Sequence, residues 1–301
     1  MRRGHWRSLL ICPGDRPDRI AKAIAARPGG VIVDLEDAVH PSQREKARRS
    51  AAQALAASDD PEVTHLIRVN PVGTTEIARD LATVIGPWLD AVIVPKVAGP
   101  DDIENLAEQL RAAELKQGLR PGTIGIVPVI EDCSALRYVD AIACAAPTVV
   151  AMSFAGAEAG DFMADLGGRW TPDGLAFHYP KSRFVCDVRA AGDLPAIDGP
   201  SMNLQDPSVW KSECDIARTL GFDGKVAIHP KQLDTINGVF MPSAAEIADA
   251  HRVVAALDEA ARSGVGVTTD RGRMLDPANG QAARRLLRRA GESPRLGSGS
   301  A

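Results

Sequence analysis

Eight short apolar runs rich in valine and isoleucine, separated by stretches of helical period, leave few folds open to this chain. They are RSLLIC (7–12), GVIVDLE (30–36), THLIRVN (64–70), DAVIVPK (90–96), TIGIVPVIE (123–131), PTVVAMSF (147–154), LPAID (194–198) and KVAIHP (225–230). Several are apolar on consecutive residues, as a strand covered on both faces must be, and their alternation with helices marks a parallel sheet. Eight strands, each followed by a helix, close a (β/α)8 TIM barrel. Helix signals fill the connections. Pro17 suits a first turn ahead of Ile20, Ala23 and Ile24. Ser42 with Glu45, and Ser243 with Glu246, read as capping boxes, and Asp101 or Asp102 as the start of IENLAEQLRAAEL.

At 301 residues and 45% hydrophobic content the chain is long enough for one such barrel, expected over 1–241. A C-terminal helix and lid segment are expected over 242–291, and a tail disordered by composition over 292–301. An insert between strands six and seven, EAGDFMADLGGRWTPDGLAFHYPKSRFVCDVRAAG, reads as a short helix, a loop and a regular helix. It falls on the C-terminal face, where a barrel builds its site.

With 35 Lys+Arg against 39 Asp+Glu there is no basic excess to bind nucleic acid. The basic start MRRGHWRSLLICPG has an apolar run too short for a signal peptide, and no stretch reaches membrane-spanning length. Five scattered cysteines, Cys12, Cys133, Cys144, Cys186 and Cys214, contain no C-x-x-C pair. They read as small buried hydrophobes in a reducing cytoplasm.

Polar residues at strand C-termini share a common mouth. By that rule the mouth holds Asp34, Glu36 and Asp37 after strand two, Arg68 and Asn70 after three, Lys96 after four, Glu131 after five, Asp161 in the insert, Asp198 after seven and His229 after eight. Glu131 and Asp161 suit one Mg²⁺ shared with water and substrate oxygens, or are ordinary loop acids. Arg68 either clamps a substrate carboxylate or pairs with Glu36 or Asp37. The acids of DLED are too dense to ionise together without a metal or Arg68 nearby. His229 is a base or, more simply, a hydrogen-bonded wall residue.

RSLLICPGDRP, VIVDLEDAVHPSQREKAR, LIRVN, VIVPKV, VIED, AGDFMADLG, PAIDG and GFDGKVAIHPKQ, in this order, resemble the HpcH/HpaI aldolase and citrate lyase β-subunit family from about Arg7 to Pro242. The resemblance implies that Glu131 and Asp161 are the metal carboxylates, that Arg68 holds an oxoacid, and that Glu36 and Asp37 line the metal site through water. RGRMLDP resembles the G-x-M-I-D-x-P of malyl-CoA lyase-like members, which places Asp276 on their catalytic acid. In those relatives the segment caps the site of an adjacent subunit, so a homo-oligomer, trimer or hexamer, is implied. Two departures stand out: EAGD replaces the usual G-A-E-D, and the tail beyond Asp276 is shorter and richer in arginine.

The chemistry so implied is Mg²⁺-dependent retro-Claisen cleavage of a 3-hydroxyacyl-CoA thioester such as malyl-, citramalyl- or citryl-CoA. A 2-oxoacid is released and the thioester enolate is protonated by Asp276, or by Glu36 through a water. Arg16, Arg19 and Lys22 after strand one suit the CoA phosphates, or form a solvated helix face. Three other readings share the barrel: an aldolase on a free hydroxy-oxoacid, the β subunit of a citrate lyase-type complex, and a non-catalytic subunit that binds CoA esters or partners.

Overall fold

All eight apolar runs form strands, each trimmed to the residues that pair. They are β1 (Ser8–Pro13), β2 (Gly30–Asp34), β3 (Thr64–Arg68), β4 (Ala91–Val94), β5 (Gly125–Ile130), β6 (Met152–Phe154), β7 (Ala196–Asp198) and β8 (Gly224–Ala227). The computed structural model, which describes residues 5–292, closes them in sequence order into a parallel barrel, with β8 pairing back onto β1. The (β/α)8 fold read from the sequence is the fold of the chain.

Helices α1 (Pro17–Ala25), α2 (Arg44–Ala56), α3 (Thr75–Val84), α4 (Pro100–Lys116) and α5 (Val139–Cys144) follow the first five strands. The insert supplies α6 (Asp161–Leu166) and α7 (Leu175–Ala191), as its composition predicts, and α8 (Pro207–Leu220) and α9 (Leu233–Phe240) complete the ring. The chain divides into two compact units, one ending at Phe240 and one beginning at Met241. The second contains α10 (Ala244–Arg262), a hairpin of β9 (Thr268–Asp270) and β10 (Arg273–Leu275), and α11 (Pro277–Arg289). Its apolar centre is Val253, Val254, Leu275 and Leu287. The tail expected to be disordered lies, from residue 293, outside the described residues. Among the described helices none is long and apolar enough to cross a membrane.

Strand periodicity sorts the residues. Leu9, Ile32, Leu66, Ile93, Val127, Val129 and Ile197 form one buried cluster, the barrel interior. Their neighbours Val31, Val33, Ile67, Val92, Ile126 and Ile130 belong to a larger cluster with the helices outside. Because successive side chains alternate, Asp34 and Arg68 stand two residues above Ile32 and Leu66 and face inward. Asp34 and Arg68 are also register partners.

The same parity corrects the expectation for Asp198. It follows Ala196 on the outward face, where Lys181 of α7 and Lys225 of β8 donate to it at 3.0 and 2.7 Å. Asp198 is a structural anion under the helices and not a mouth residue. Other local signals are also revised. Ser42 and Glu45 do not form a capping box: Pro41–Gln43 is a 3₁₀ turn, Ser42 bonds His40, and Glu45 reaches Arg48 and Arg49. Pro41 draws the chain into that tighter turn, so α2 begins only at Arg44. Helix α4 starts at Pro100, and Asp102 accepts from the Ala98 N–H in its first turn. The Ser243–Glu246 box is present. Of the five cysteines, all free, only Cys12 and Cys214 are buried; Cys144 and Cys186 are exposed and Cys133 is intermediate.

Aromatic packing fixes the insert. Phe162, the second residue of α6, is fully buried and packs on Phe154 at the end of β6 with ring centroids 4.7 Å apart. Phe177 and Phe184 of α7 extend the cluster, and Phe222 stacks on Phe184. Asp161 is thereby carried next to β6 by the residue that follows it. Phe162→Ala is expected to cost about 3–5 kcal/mol in chemical denaturation. A loss below about 1 kcal/mol would show that α6 is not anchored through this ring.

Candidate active site

The inward-facing ends of β2, β3 and β5 converge on a cavity of about 470 Å³, a size suited to a small organic ligand. Its floor is apolar, with Ile32, Ile93, Val127 and Val129, and its polar wall carries Asp34, Asp37, Arg68 and Glu131.

Arg68 is held by Asp34, through Nε to Oδ1 at 2.6 Å and Nη2 to Oδ2 at 2.7 Å. Asp34 is itself fixed, accepting from the backbone N–H groups of Glu36 and Ala38. Nη1 of Arg68 lies 3.4 Å from Glu36. The ion pair left open in the sequence thus exists, but its main partner is Asp34. One edge of the guanidinium is taken up by Asp34, Nη1 is near Glu36, and Arg68 lines the cavity. Burial opposes the charge of Arg68, yet Asp34, with Glu36 and Glu131, holds its pKa above the ordinary arginine value.

Lys96 supplies the second cation. Its Nζ contacts Glu36 at 2.5 Å and Asp37 at 3.3 Å, and its backbone N–H donates to Glu131 Oε2 at 3.0 Å. It adopts φ +54°, which lets a residue of outward parity turn its side chain back over the mouth. Partial burial works against its charge, but Glu36 and Asp37 raise its pKa to about 12. The acids of DLED are therefore balanced by Arg68 and Lys96 together, a role for Lys96 that strand parity hides.

Glu131 is buried, and burial pushes its carboxyl up to about 7; Arg68 opposes the shift, while Glu36 and Asp161 reinforce it. Glu36 is likewise raised, chiefly by burial, against the pull of Lys96 and Arg68. A carboxyl so placed has the electrostatics of a group short of a cation. Among the described residues no cluster of three or more His, Cys, Asp or Glu forms a cage for a metal. Two hard carboxylates, Glu131 and the exposed Asp161 of α6, fit Mg²⁺, which keeps several waters and shares its shell with substrate oxygens.

Of the remaining candidates in the first unit, Arg16, Arg19, Lys22 and His229 do not line this cavity. Arg16, Arg19 and Lys22 are exposed on or beside α1, and Arg16 pairs with Asp18 at 3.1 Å. His229 caps the 3₁₀ turn Pro230–Gln232, accepting from the Lys231 N–H, which is the wall role. Asp276, in the second unit, is the N-cap of α11 and accepts from the Asn279 N–H at 3.0 Å.

Residues 7–230 match the model of the HpcH/HpaI aldolase/citrate lyase family. The chain is 31% identical to the L-malyl-CoA/beta-methylmalyl-CoA lyase of Cereibacter sphaeroides over 94% of each chain. It is also 31% identical to a (3S)-malyl-CoA thioesterase of the same species, over 95% of this chain and 94% of that one. Among solved structures it resembles protein CitE from Mycobacterium tuberculosis in complex with magnesium, acetoacetate and coenzyme A. The TM-score is 0.73 and the identity 30%, over 96% of this chain and 100% of that one. This chain belongs to the HpcH/HpaI aldolase/citrate lyase family, a carbon–carbon lyase with Mg²⁺ as its cofactor.

Proposed function

We propose that this enzyme cleaves, or in reverse forms, a 3-hydroxyacyl-CoA thioester such as malyl-, citramalyl- or citryl-CoA, yielding a 2-oxoacid and an acyl-CoA. The observation that carries this reading is Arg68, oriented by Asp34 beside a buried Glu131, above an apolar cavity. Glu131 and Asp161 hold Mg²⁺, which when bound supplies a Lewis acid for the substrate oxygens.

Arg68 receives the oxoacid carboxylate on its Nη1 side, the side not fixed by Asp34, and its fixed partner means that little orientation is lost on binding. Cleavage passes the hydroxyl proton to water, breaks the bond between the hydroxyl-bearing carbon and the carbon next to the thioester, and leaves the electron pair on the resulting thioester enolate. That carbon then takes a proton. Asp276 is its source, by the resemblance of RGRMLDP, with Glu36 acting through water as the second candidate. Arg16, Arg19 and Lys22 offer cations for the CoA phosphates.

A panel of malyl-, citramalyl-, methylmalyl- and citryl-CoA with Mg²⁺, read for both oxoacid and free CoA thiol, tests the activity. Oxoacid without free thiol supports carbon–carbon cleavage. Free thiol without oxoacid would mean thioester hydrolysis, the activity named for one relative. Cleavage of free hydroxy-oxoacids alone would move the enzyme to the aldolase branch. Turnover only on adding further subunits would make it a component of a larger complex.

Glu131 makes the metal site pH-dependent. Its folded pKa, about 7, lies above the ordinary 4.5, so ionising it costs stability. The metal-free protein is therefore expected to lose stability as pH rises from 4.5 towards 7, and Mg²⁺ to restore it. Below pH 7 the affinity for Mg²⁺ should fall by about tenfold per unit as the proton competes. Thermal melts and calorimetric titrations follow both, and Glu131→Gln should flatten both. Identical profiles in wild type and variant would remove Glu131 from the metal site.

Asp276 is proposed to complete the site of a neighbouring subunit in a homo-oligomer. Arg68→Ala and Asp276→Ala proteins, each inactive, should regain a fraction of wild-type turnover when their subunits are exchanged. Full activity of Asp276→Ala alone would exclude its catalytic role, and inactivity without complementation would assign it to its own barrel.

A further inference from the structure

We propose that Arg48, Asp80 and Asn70 form a positioning relay that sets the Arg68–Asp34 pair from outside the barrel. Asn70 is its working end. Its backbone N–H and its Nδ2 both donate to Asp80 Oδ2, at 2.7 and 2.8 Å, and Nδ2 also donates to the Leu35 carbonyl at 3.2 Å. Leu35 is the residue between Asp34 and Glu36, and its own N–H donates to the Arg68 carbonyl at 2.9 Å. The β2 and β3 segments that carry Asp34, Glu36 and Arg68 are therefore joined beyond the ends of the strands, once by backbone and once by the Asn70 amide. The ladder would next take the Asn70 N–H to the Leu35 carbonyl, but that N–H goes to Asp80, and the Asn70 side chain stands in for it.

Asp80 in turn is not free to move. It is fully buried on α3, and its other oxygen accepts from Nε of Arg48 at 2.7 Å. Arg48, on α2 and 2% exposed, also reaches Glu76 and Glu45. Two helices are thus pinned by one buried guanidinium bearing three acids. Apolar side chains would pack α2 on α3 at least as well, because burying ions costs several kcal/mol each. What an apolar contact would not supply is a directed acceptor for Asn70. Arg48 and Asp80 touch neither the cavity nor a reacting atom; they act through Asn70 and Leu35.

The kinetic arm of the test rests on the lyase reading, and a structural arm does not. Asn70→Ala, a truncation at one side chain, is expected to lower kcat/KM at least 30-fold in wild type. In an Arg68→Lys background, where the pair is already misplaced, it should lower it less than threefold, because the two changes damage one unit. Arg48→Lys keeps the charge but loses the fork, and should show the same non-additivity with a smaller first effect. A merely structural relay would multiply its loss in both backgrounds, and that result would overturn the proposal. Crystal structures of wild type and Asn70→Ala form the second arm: the Leu35 carbonyl and the Arg68 guanidinium should shift apart. If both superpose unchanged, the relay fails whatever the kinetics. If wild type cleaves no thioester, the lyase reading fails, and the crystal structures alone decide the relay.

Discussion

Five carboxylates at one end of the barrel, Asp34, Glu36, Asp37, Glu131 and Asp161, face two cations, Arg68 and Lys96, and this imbalance organises everything around it. The two cations pair chiefly with the acids of the β2 end, and the pull of Arg68 on Glu131 is too weak to offset its burial. Burial then makes the deficit costly at Glu131, whose carboxyl is driven up to about 7. On the proposed reading, a divalent ion held by Glu131 and Asp161 would offset that cost with oxygen ligands of the kind Mg²⁺ prefers. On that reading the cofactor's binding energy would add to the stability of the fold.

Holding five acids in so little space requires supports that do not themselves titrate. Asp34 is held by two backbone N–H groups and by Arg68. Asp161 is placed by Phe162 and its contact with Phe154, a purely apolar anchor. Lys96 joins the two halves of the site, with its side chain on Glu36 and its backbone N–H on Glu131. Only its left-handed backbone conformation permits both, and for a non-glycine residue that conformation costs of order 1 kcal/mol or more.

The barrel was legible because its evidence is periodic: eight β-type runs, each buried on two faces, survive any single misjudged residue. Arg68, Glu36 and Glu131 were legible as mouth residues because each closes a strand run. Strand parity pairs Asp34 with Arg68 and takes Asp198 out of the mouth, since Asp198 shares its face with Ala196. The role of Lys96 was not legible, because it depends on a positive φ that no local pattern announces. The Ser42–Glu45 box failed for a related reason: Pro41 favours a tight turn, and that local competition is invisible in spacing alone. The helix cap at Asp276 is legible as Asp-Pro-x-Asn, a local signal separate from the resemblance that suggests its catalytic role.

Alternation along a strand explains why both chemistry and ion-pair support can crowd the same ends of this barrel. At β7 and β8 the outward positions Asp198 and Lys225 meet Lys181 beneath the helices, while the inward positions Gly199, Val226 and Ile228 line the cavity. At β2 and β3 the inward positions carry Asp34 and Arg68, while Val33, Ile67 and Val69 face the helices and belong to the core. Charged residues therefore occupy one face at a time, and the other face stays apolar. A slip of one residue in either strand would exchange these sets, placing the Arg68–Asp34 pair under α2 and α3 and valine in the mouth. The buried acids and cations specify register as well as chemistry, because a mispaired barrel would leave each of them without the partner that makes its burial tolerable.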